Sequence, residues 1–270
     1  MQKHESCSFP KESLSCAQTK IMRIIQITDI HIAPLGAETI LNIDVWGQFQ
    51  RVLAEAKTFQ PDWVVITGDL CYQEGDVGVY HWIRTQLEET GLNYQVIAGN
   101  HDDALMMATV FGLPKSPETN ESFYALSFDM GQIIFLDTAQ KVLSARQWTW
   151  FYQQLRAPTP SLIMMHHPPV LAQTYFMDTH HSFLQRAEFA QALAAAPKPI
   201  AIFCGHYHID RTILKDDFRV FITPSSMAQI DGTQKEYTLD HLRPGFRIID
   251  WDGKNLSTEV RWLPITSSPG

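Results

Sequence analysis

The sequence predicts an α/β fold of stacked sheet and helix layers, and three observations carry that prediction. Short β-rich apolar runs alternate with segments whose hydrophobic residues repeat every ~3.6 positions. Several of these runs stop abruptly at Asp, Asn or His, often just after Gly, which places functional groups at strand ends. The apolar share of 45% over 270 residues is enough for a sizeable core that one large domain can hold.

Taken in order, Met1 to Lys20 is polar and lacks the apolar run of a secretory signal. Residues 1–21 are expected to form a flexible extension, and 22–270 a single domain. Arg23–Thr28 is the first β-run and stops at Asp29. Residues 42–58 read as a helix, because Phe49, Val52, Leu53 and Ala56 share one face. Asp62–Thr67 is a second strand ending at Gly68-Asp69, and a helix over 77–90 stops at Gly91. Tyr94–Ala98 is a third strand, running into Gly99-Asn100-His101-Asp102. Ser122–Phe128 and Gln132–Leu136 read as a hairpin around Asp129-Met130-Gly131. Ser144 and Gln147 have capping-box spacing ahead of Trp148, Phe151, Tyr152 and Leu155. Ser161–Met165 is a strand ending at His166-His167-Pro168-Pro169. Ser182 and Gln185 form a second capping-box pattern, opening a helix to about Ala195. Ile200–Phe203 ends at Gly205-His206-Tyr207-His208, and short strands near 217–222, 245–251 and 256–262 close the chain.

Composition excludes several classes. No stretch approaches ~20 consecutive apolar residues, so no membrane partner is expected. A net charge of −8, from 21 basic against 29 acidic residues, argues against a broad phosphate-binding face, and no nucleic acid duplex is expected. Cys7, Cys16, Cys71 and Cys204 show no CxxC pairing, which excludes a disulfide framework or zinc-thiolate site and points to a reducing cytoplasm. Cys71 and Cys204 read as small buried apolar residues, and Trp63, Trp148 and Trp150 as core or layer-interface residues. His4, His81 and His241 read as surface residues, and His180 and His181 as an exposed loop pair. Lys235, Arg243 and Arg247 read as solvated residues of a C-terminal hairpin.

The chemistry lies in the strand ends: Asp29-Ile30-His31, Gly68-Asp69, Gly99-Asn100-His101-Asp102, His166-His167 and Gly205-His206-Tyr207-His208. Asp, Asn and His ligands suit divalent Mn, Fe or Zn. Residues two apart on a strand share a face, so Asp29 and His31 can approach one metal. His206 and His208 have the same spacing, although a turn there could send them to different ions. Glycines just before Asp69, Asn100 and His206 permit tight turns and close approach.

This ordered series resembles the calcineurin-like metallophosphoesterase superfamily, over Ile24 to about His208 with a similar tail to Trp262. The resemblance implies a four-layer α/β/β/α sandwich with two divalent or mixed-valence transition-metal ions. It implies Asp29, His31 and His208 on one metal, Asn100, His166 and His206 on the other, and Asp69 bridging both. His166 is chosen over His167 because it directly follows the apolar strand. His101 falls where the family places a histidine that contacts phosphate, and Asp102 is expected to orient it as a second catalytic residue. His31, Asp69, Asn100, His101 and His208 are the expected substrate-facing residues. Tyr72 resembles the tyrosine of a GDxxY segment in purple acid phosphatases, but His31 is expected to take the coordination place.

The implied chemistry is hydrolysis of a small phosphodiester by an activated bridging water, with His101 stabilising charge or protonating the leaving alkoxide. Gly99–Asp103, His166–Pro169 and Asp240–Arg247 resemble segments of class III cyclic-nucleotide phosphodiesterases, which makes 3′,5′-cyclic AMP the first candidate. A glycerophosphodiesterase or broad-specificity phosphoesterase is the alternative, ahead of a nuclease or a non-catalytic scaffold. Related enzymes often dimerise, so a homo-oligomer is a further expectation.

Overall fold

The computed structural model describes residues 20–37, 39–196 and 200–265. The extension expected over residues 1–21, with His4, Cys7 and Cys16, lies outside the described residues apart from Lys20 and Ile21. Strand β1 (Met22–Ile27) shows how the layers arise. Side chains alternate across a strand, and here both faces are apolar. Ile25 and Ile27 enter one core, whereas Met22 and Ile24 enter another. In β2 (Trp63–Thr67), Val64 and Ile66 follow the first pair and Val65 the second. Strands β5 (Gly131–Leu136), β6 (Ser161–Met165) and β7 (Ile200–Cys204) repeat the pattern. Their Ile133, Leu162 and Phe203 join the core shared with β1, while Ile134, Ile163 and Ile202 enter a third. A strand apolar on both faces must be covered on both. The result is sheet against sheet inside, with helices outside.

One sheet has the order β11-β10-β1-β2-β3, where β3 is Asn93–Ile97, β10 Gly245–Trp251 and β11 Leu256–Trp262. The other runs β4-β5-β6-β7-β9-β8, with β4 Tyr124–Phe128, β8 Arg211–Leu214 and β9 Phe218–Ile222. Neighbours β1-β2-β3 and β5-β6-β7-β9 pair in parallel, and the remaining pairings are antiparallel. Helices α1 (Val45–Thr58), α2 (Val77–Thr90) and α3 (Ala104–Phe111) set Phe49, Ile83 and Met107 against the first sheet. On the second, α4 (Ala145–Leu155) and α6 (Arg186–Ala194) stack Phe151 on Phe189 at 5.3 Å. The short α5 (Tyr175–His180) adds Met177 to the same core. The architecture is the expected four-layer α/β/β/α sandwich. Trp63 packs against the inter-sheet core, Trp148 and Trp150 against the second outer one, and Cys71 and Cys204 are buried free thiols.

Helix ends follow local chemistry where side chains stay local. Asp44 caps α1 through Gly47 N–H, and Gly91 stops α2 with φ 72°. At α4, Ser144 accepts from Gln147 N–H as expected. The Gln147 amide instead turns inward, accepting from Asp137 N–H at 2.8 Å and donating to Glu121 at 2.7 Å. Glu121 takes the Ser144 N–H in its place. The second capping box does not form: α6 starts at Arg186, and Gln185 accepts from Leu143 N–H and Trp148 Nε1–H. Helix α3 escapes the periodicity reading because its sequence ALMMATVF is apolar nearly all round. Elements α5 and β8 are too short to show a period.

Candidate metal centre

The metal-competent residues lie just beyond the carboxyl ends of β1, β2, β3, β6 and β7, where parallel α/β sheets carry their ligand sites. Strand β1 ends at Ile27, so Asp29 and His31 do not sit on it as the two-residue spacing suggested. Both adopt left-handed backbone, with φ 53° and 46°. Asp69, His206 and His208 do the same, at 53°, 67° and 51°. Such conformations are uncommon for residues with a Cβ, though Asp and His tolerate them better than most. Hydrogen bonds hold the turns: Asp29 N–H to Gly68 C=O and His31 N–H to Asp69 C=O, both 3.0 Å. Gly68 (φ 97°) and Gly99 are required here, because a Cβ on either would strike the His166 ring or the Asp69 carboxylate.

Asp29, His31 and His208 present one ligand atom each within 4.8 Å of one another, and Asp29, Asp69 and His166 do so too. His208 Nε2 lies 3.2 Å from Asp29 Oδ1 and 3.2 Å from His31 Nε2. His166 Nε2 is 3.3 Å from Asp69 Oδ2, and His31 Nε2 is 3.8 Å from the same oxygen. The His206 ring stands 4.9 Å from that of His166. The similarly spaced His206 and His208 thus part company, as a turn allows.

Backbone carbonyls orient the imidazoles. His166 Nδ1 faces Thr67 C=O at 2.8 Å, His208 Nδ1 faces Ala228 C=O at 2.7 Å and His206 Nε2 faces His181 C=O at 3.0 Å. Each carbonyl takes an N–H and turns the other ring nitrogen inward, where its lone pair can serve a metal once that nitrogen carries no proton. Asn100 Oδ1, His166 Nε2, His167 Nε2 and His31 Nδ1 are buried with no hydrogen-bond partner among the described residues. A buried polar atom left unpaired costs free energy that a cation would offset. The N/O donor set and these orphaned atoms fit divalent transition metals.

Charge is distributed to match. Burial opposes ionisation of Asp29 and Asp69, yet His208 beside the first and His166 beside the second hold both carboxyls below their usual range. Burial pushes His31 down to about 4 and lowers His206 and His167 well below the ordinary imidazole value. Burial also opposes protonation of His166, but Asp69 prevails and raises it to about 9. His167 Nδ1 meets Thr138 Oγ1 at 3.2 Å, and its ring lies 4.1 Å from that of His206. His166, His167 and His206 also present ligand atoms within 4.8 Å, so His167 is closer to the centre than a bystander.

Asp102 differs from expectation. Its carboxylate makes no hydrogen bond or ion pair with the His101 ring, whose Nδ1 instead faces Gln73 C=O at 3.2 Å. The half-buried Asp102 carboxylate accepts from Gly99, Leu70 and Cys71 N–H and from Tyr80 O–H, at 2.9 to 3.2 Å. It ties the Asp69 turn to the Asn100 turn. Sequence position could not reveal this, because the donors come from two separate strand ends. His181 also departs from the exposed-loop reading: it follows α5, and its carbonyl holds His206. Arg247 is 3% exposed and pairs with Asp210 at 2.7 Å, whereas Lys235 and Arg243 are exposed as expected.

A cleft of ≈ 420 Å³ opens over the cluster. His31, Asp69, Asn100, His101 and His208 line its floor, so all five expected substrate-facing residues reach it. Tyr72 stands on the wall, edge-on to His31 with ring centres 6.4 Å apart. Leu41, Phe176, Met227, Ile230 and Tyr237 complete the wall, and no motif marked them.

Sandwich and cluster together define an α/β protein with a metal-competent centre where two parallel sheet segments end. The family model described as calcineurin-like phosphoesterase matches residues 22–210, and the chain belongs to that family. It is 31% identical over 247 residues to a probable cyclic nucleotide phosphodiesterase of Fibrobacter succinogenes, covering 91% of this chain and 96% of that one. Over 267 residues it is 28% identical to the 3′,5′-cyclic adenosine monophosphate phosphodiesterase CpdA of Escherichia coli K12, covering 92% and 94%. Among solved structures, the yellow lupin purple acid phosphatase PPD1 superposes with a TM-score of 0.68 at 15% identity, over 91% of this chain and 52% of that one. A dimetal phosphatase from Danio rerio superposes at 0.60 and 12% identity, over 85% and 95%. These last likenesses establish the fold. Among the described residues no helix is long and apolar enough to cross a membrane.

Proposed function

We propose that the protein is a metal-dependent phosphodiesterase acting on a small phosphodiester, with 3′,5′-cyclic AMP as the first substrate to test. The observation that carries this reading is the Asp69 carboxylate, whose Oδ2 is near both His166 at 3.3 Å and His31 at 3.8 Å. One carboxylate thereby touches two groups of ligands, the arrangement a metal pair requires. Asp29, His31 and His208 would hold one ion, Asn100, His166 and His206 the other, with Asp69 shared between them. Manganese, iron and zinc all suit these donors. When bound, such a pair supplies Lewis acidity and an activated water for in-line displacement at phosphorus.

The chain's own residues do the rest. With only Asp29 and Asp69 charged against two dications, the floor attracts an anionic diester. Asn100 contributes a neutral oxygen and so preserves that positive field. His101 stands at the mouth with Nε2 4.0 Å from Asp69 Oδ2, its ring held by Gln73 C=O. With Nδ1–H given to Gln73, the imidazolium form would present Nε2–H to a phosphoryl oxygen or pass that proton to the leaving alkoxide. Asp102 is a positioning residue, keeping the Asp69 and Asn100 turns in register. The extents of the cyclic-nucleotide relatives match this chain nearly end to end, which supports that substrate class. A single domain over 22–270 behind an extension over 1–21 completes the reading, and the buried free thiols of Cys71 and Cys204 suit the cytoplasm.

The test is a kinetic panel on metal-stripped protein reloaded with Mn, Fe or Zn. Substrates are cyclic AMP, cyclic GMP, a glycerophosphodiester, a phosphomonoester and bis(p-nitrophenyl) phosphate. Metal-restored turnover of diesters ahead of the monoester is expected. Loss of every diester activity in all three reloaded forms contradicts the assignment.

A further inference from the structure

The cleft above the metal-competent floor has two chemically unlike ends. Its floor is polar, but its walls include Leu41, Tyr72, Phe176, Met227 and Tyr237. Phe176 and Tyr237 meet edge to face with ring centres 5.9 Å apart, and Phe176 also lies 5.2 Å from the His181 ring. Tyr237 is 51% exposed and Leu41 44%, so apolar surface is offered outward at the rim instead of being consumed by the core. Met227 and Phe176 also pack on the cores, but the exposed faces of Leu41 and Tyr237 gain little from the fold and would gain from a planar apolar ligand.

The polar side chains at this end, Tyr72, Gln73, His181 and Tyr237, are partly or fully exposed. Water serves such atoms in the free protein, so a ligand that fails to pair with them incurs little penalty. Strong discrimination between similar ligands instead needs buried donors or acceptors that the wrong ligand leaves unpaired. Stacking on an aromatic face has no such demand, since every base has a π-face.

Building on the phosphodiesterase reading, we propose that Phe176 and Tyr237 form a platform for the aromatic substituent of the diester and read its face, not its edge. The substrate class is then phosphodiesters of planar aromatic or nucleoside alcohols. Adenine and guanine are accepted nearly alike, and purely aliphatic diesters lose the platform's contribution.

Steady-state kinetics with cyclic AMP and cyclic GMP, alongside calorimetric binding of AMP and GMP, test this. Wild-type kcat/KM for the two cyclic nucleotides should agree within about tenfold. In Tyr237→Ala and Phe176→Ala, KM and the nucleotide Kd should rise together for both bases, by about tenfold, with kcat changing much less. Tyr237→Phe, which keeps the ring, should retain wild-type KM. Tyr237 lies at the surface, so its variants separate the platform from any folding defect of Phe176→Ala. A preference between the two nucleotides above about a hundredfold, or unchanged KM and Kd in Tyr237→Ala, overturns the platform. Failure of wild-type protein on bis(p-nitrophenyl) phosphate as well as both nucleotides would instead overturn the phosphodiesterase reading beneath it.

Discussion

The two sheets supply the centre with unlike chemistry. Strand ends of the first bring the carboxylates Asp29 and Asp69, the amide of Asn100 and a single imidazole, His31; those of the second bring imidazoles alone, from His166, His206 and His208. Their supports differ in the same sense. Asp29 accepts from His206 N–H at 2.9 Å and Thr28 O–H at 2.7 Å, and Asp69 from His101 N–H at 3.0 Å. The second-sheet imidazoles instead face the carbonyls of Thr67, His181 and Ala228. Anionic ligands are thus steadied by donors and neutral ligands by acceptors, and several supports come from the opposite sheet or from a loop. The difference teaches that neither sheet can form its half of the centre alone.

The largest effect should come from the residue that joins the halves. Asp69→Ala should abolish tight binding of the metal pair and lower turnover of bis(p-nitrophenyl) phosphate by more than the ~10–100-fold typical of an outer partner. Metal stoichiometry measured by elemental analysis checks it, and two ions retained would break the comparison. Next comes the support of the first sheet. Asp102→Asn points an amide N–H at backbone donors that now have a carboxylate, and should cost ~10–100-fold in metal affinity with about 1–3 kcal/mol of stability. Manganese titration and denaturant unfolding read these separately.

A third test distinguishes the sheets by pH. In the metal-free protein His166 is raised to about 9 by Asp69, against the effect of burial, and so keeps its proton at neutral pH. Ligation requires the neutral ring, so a metal must displace that proton. Affinity should therefore climb with pH by at least about tenfold per unit between about pH 6 and 8, because His208, raised by Asp29 against burial, also resists losing its proton. His31, pushed down to about 4, is already neutral there and adds no slope. Calorimetric affinities that stay flat over this window would contradict the assignment of His166. The smallest effect is expected for His181→Ala, which keeps the carbonyl facing His206. Its metal affinity should stay within about threefold of wild type, inside the ~10–100-fold of a lost outer partner.

Much of this was legible in the sequence. The apolar runs 23–28, 62–67, 161–165 and 200–203 are strands, and the residues that stop them are the ones that meet at the centre. Local turn chemistry made Gly68 and Gly99 readable as points of close approach. Side chains that leave their own segment were not readable. Gln147 and Gln185 look like capping residues but bond Asp137 and Leu143 across the structure. Arg247 looks solvated until Asp210, from the turn before β8, closes on it.

The sequence by itself determined stacked sheet and helix layers, because strands apolar on both faces must be covered on both; that one cover is a second sheet was implied by the family resemblance and is seen in the fold. It also determined which residue types could hold metal, and their order along the chain. The family resemblance implied how they would be shared out, and the tertiary structure shows which of them lie together. Left-handed turns at Asp29, His31, His206 and His208 override strand spacing, sending His208 to Asp29 and His206 to His166. The tertiary structure alone gave Asp102 to the backbone N–H groups of Leu70, Cys71 and Gly99 and brought Phe176 to Tyr237. Those choices depend on donors and surfaces far apart in sequence, and no local pattern encodes them.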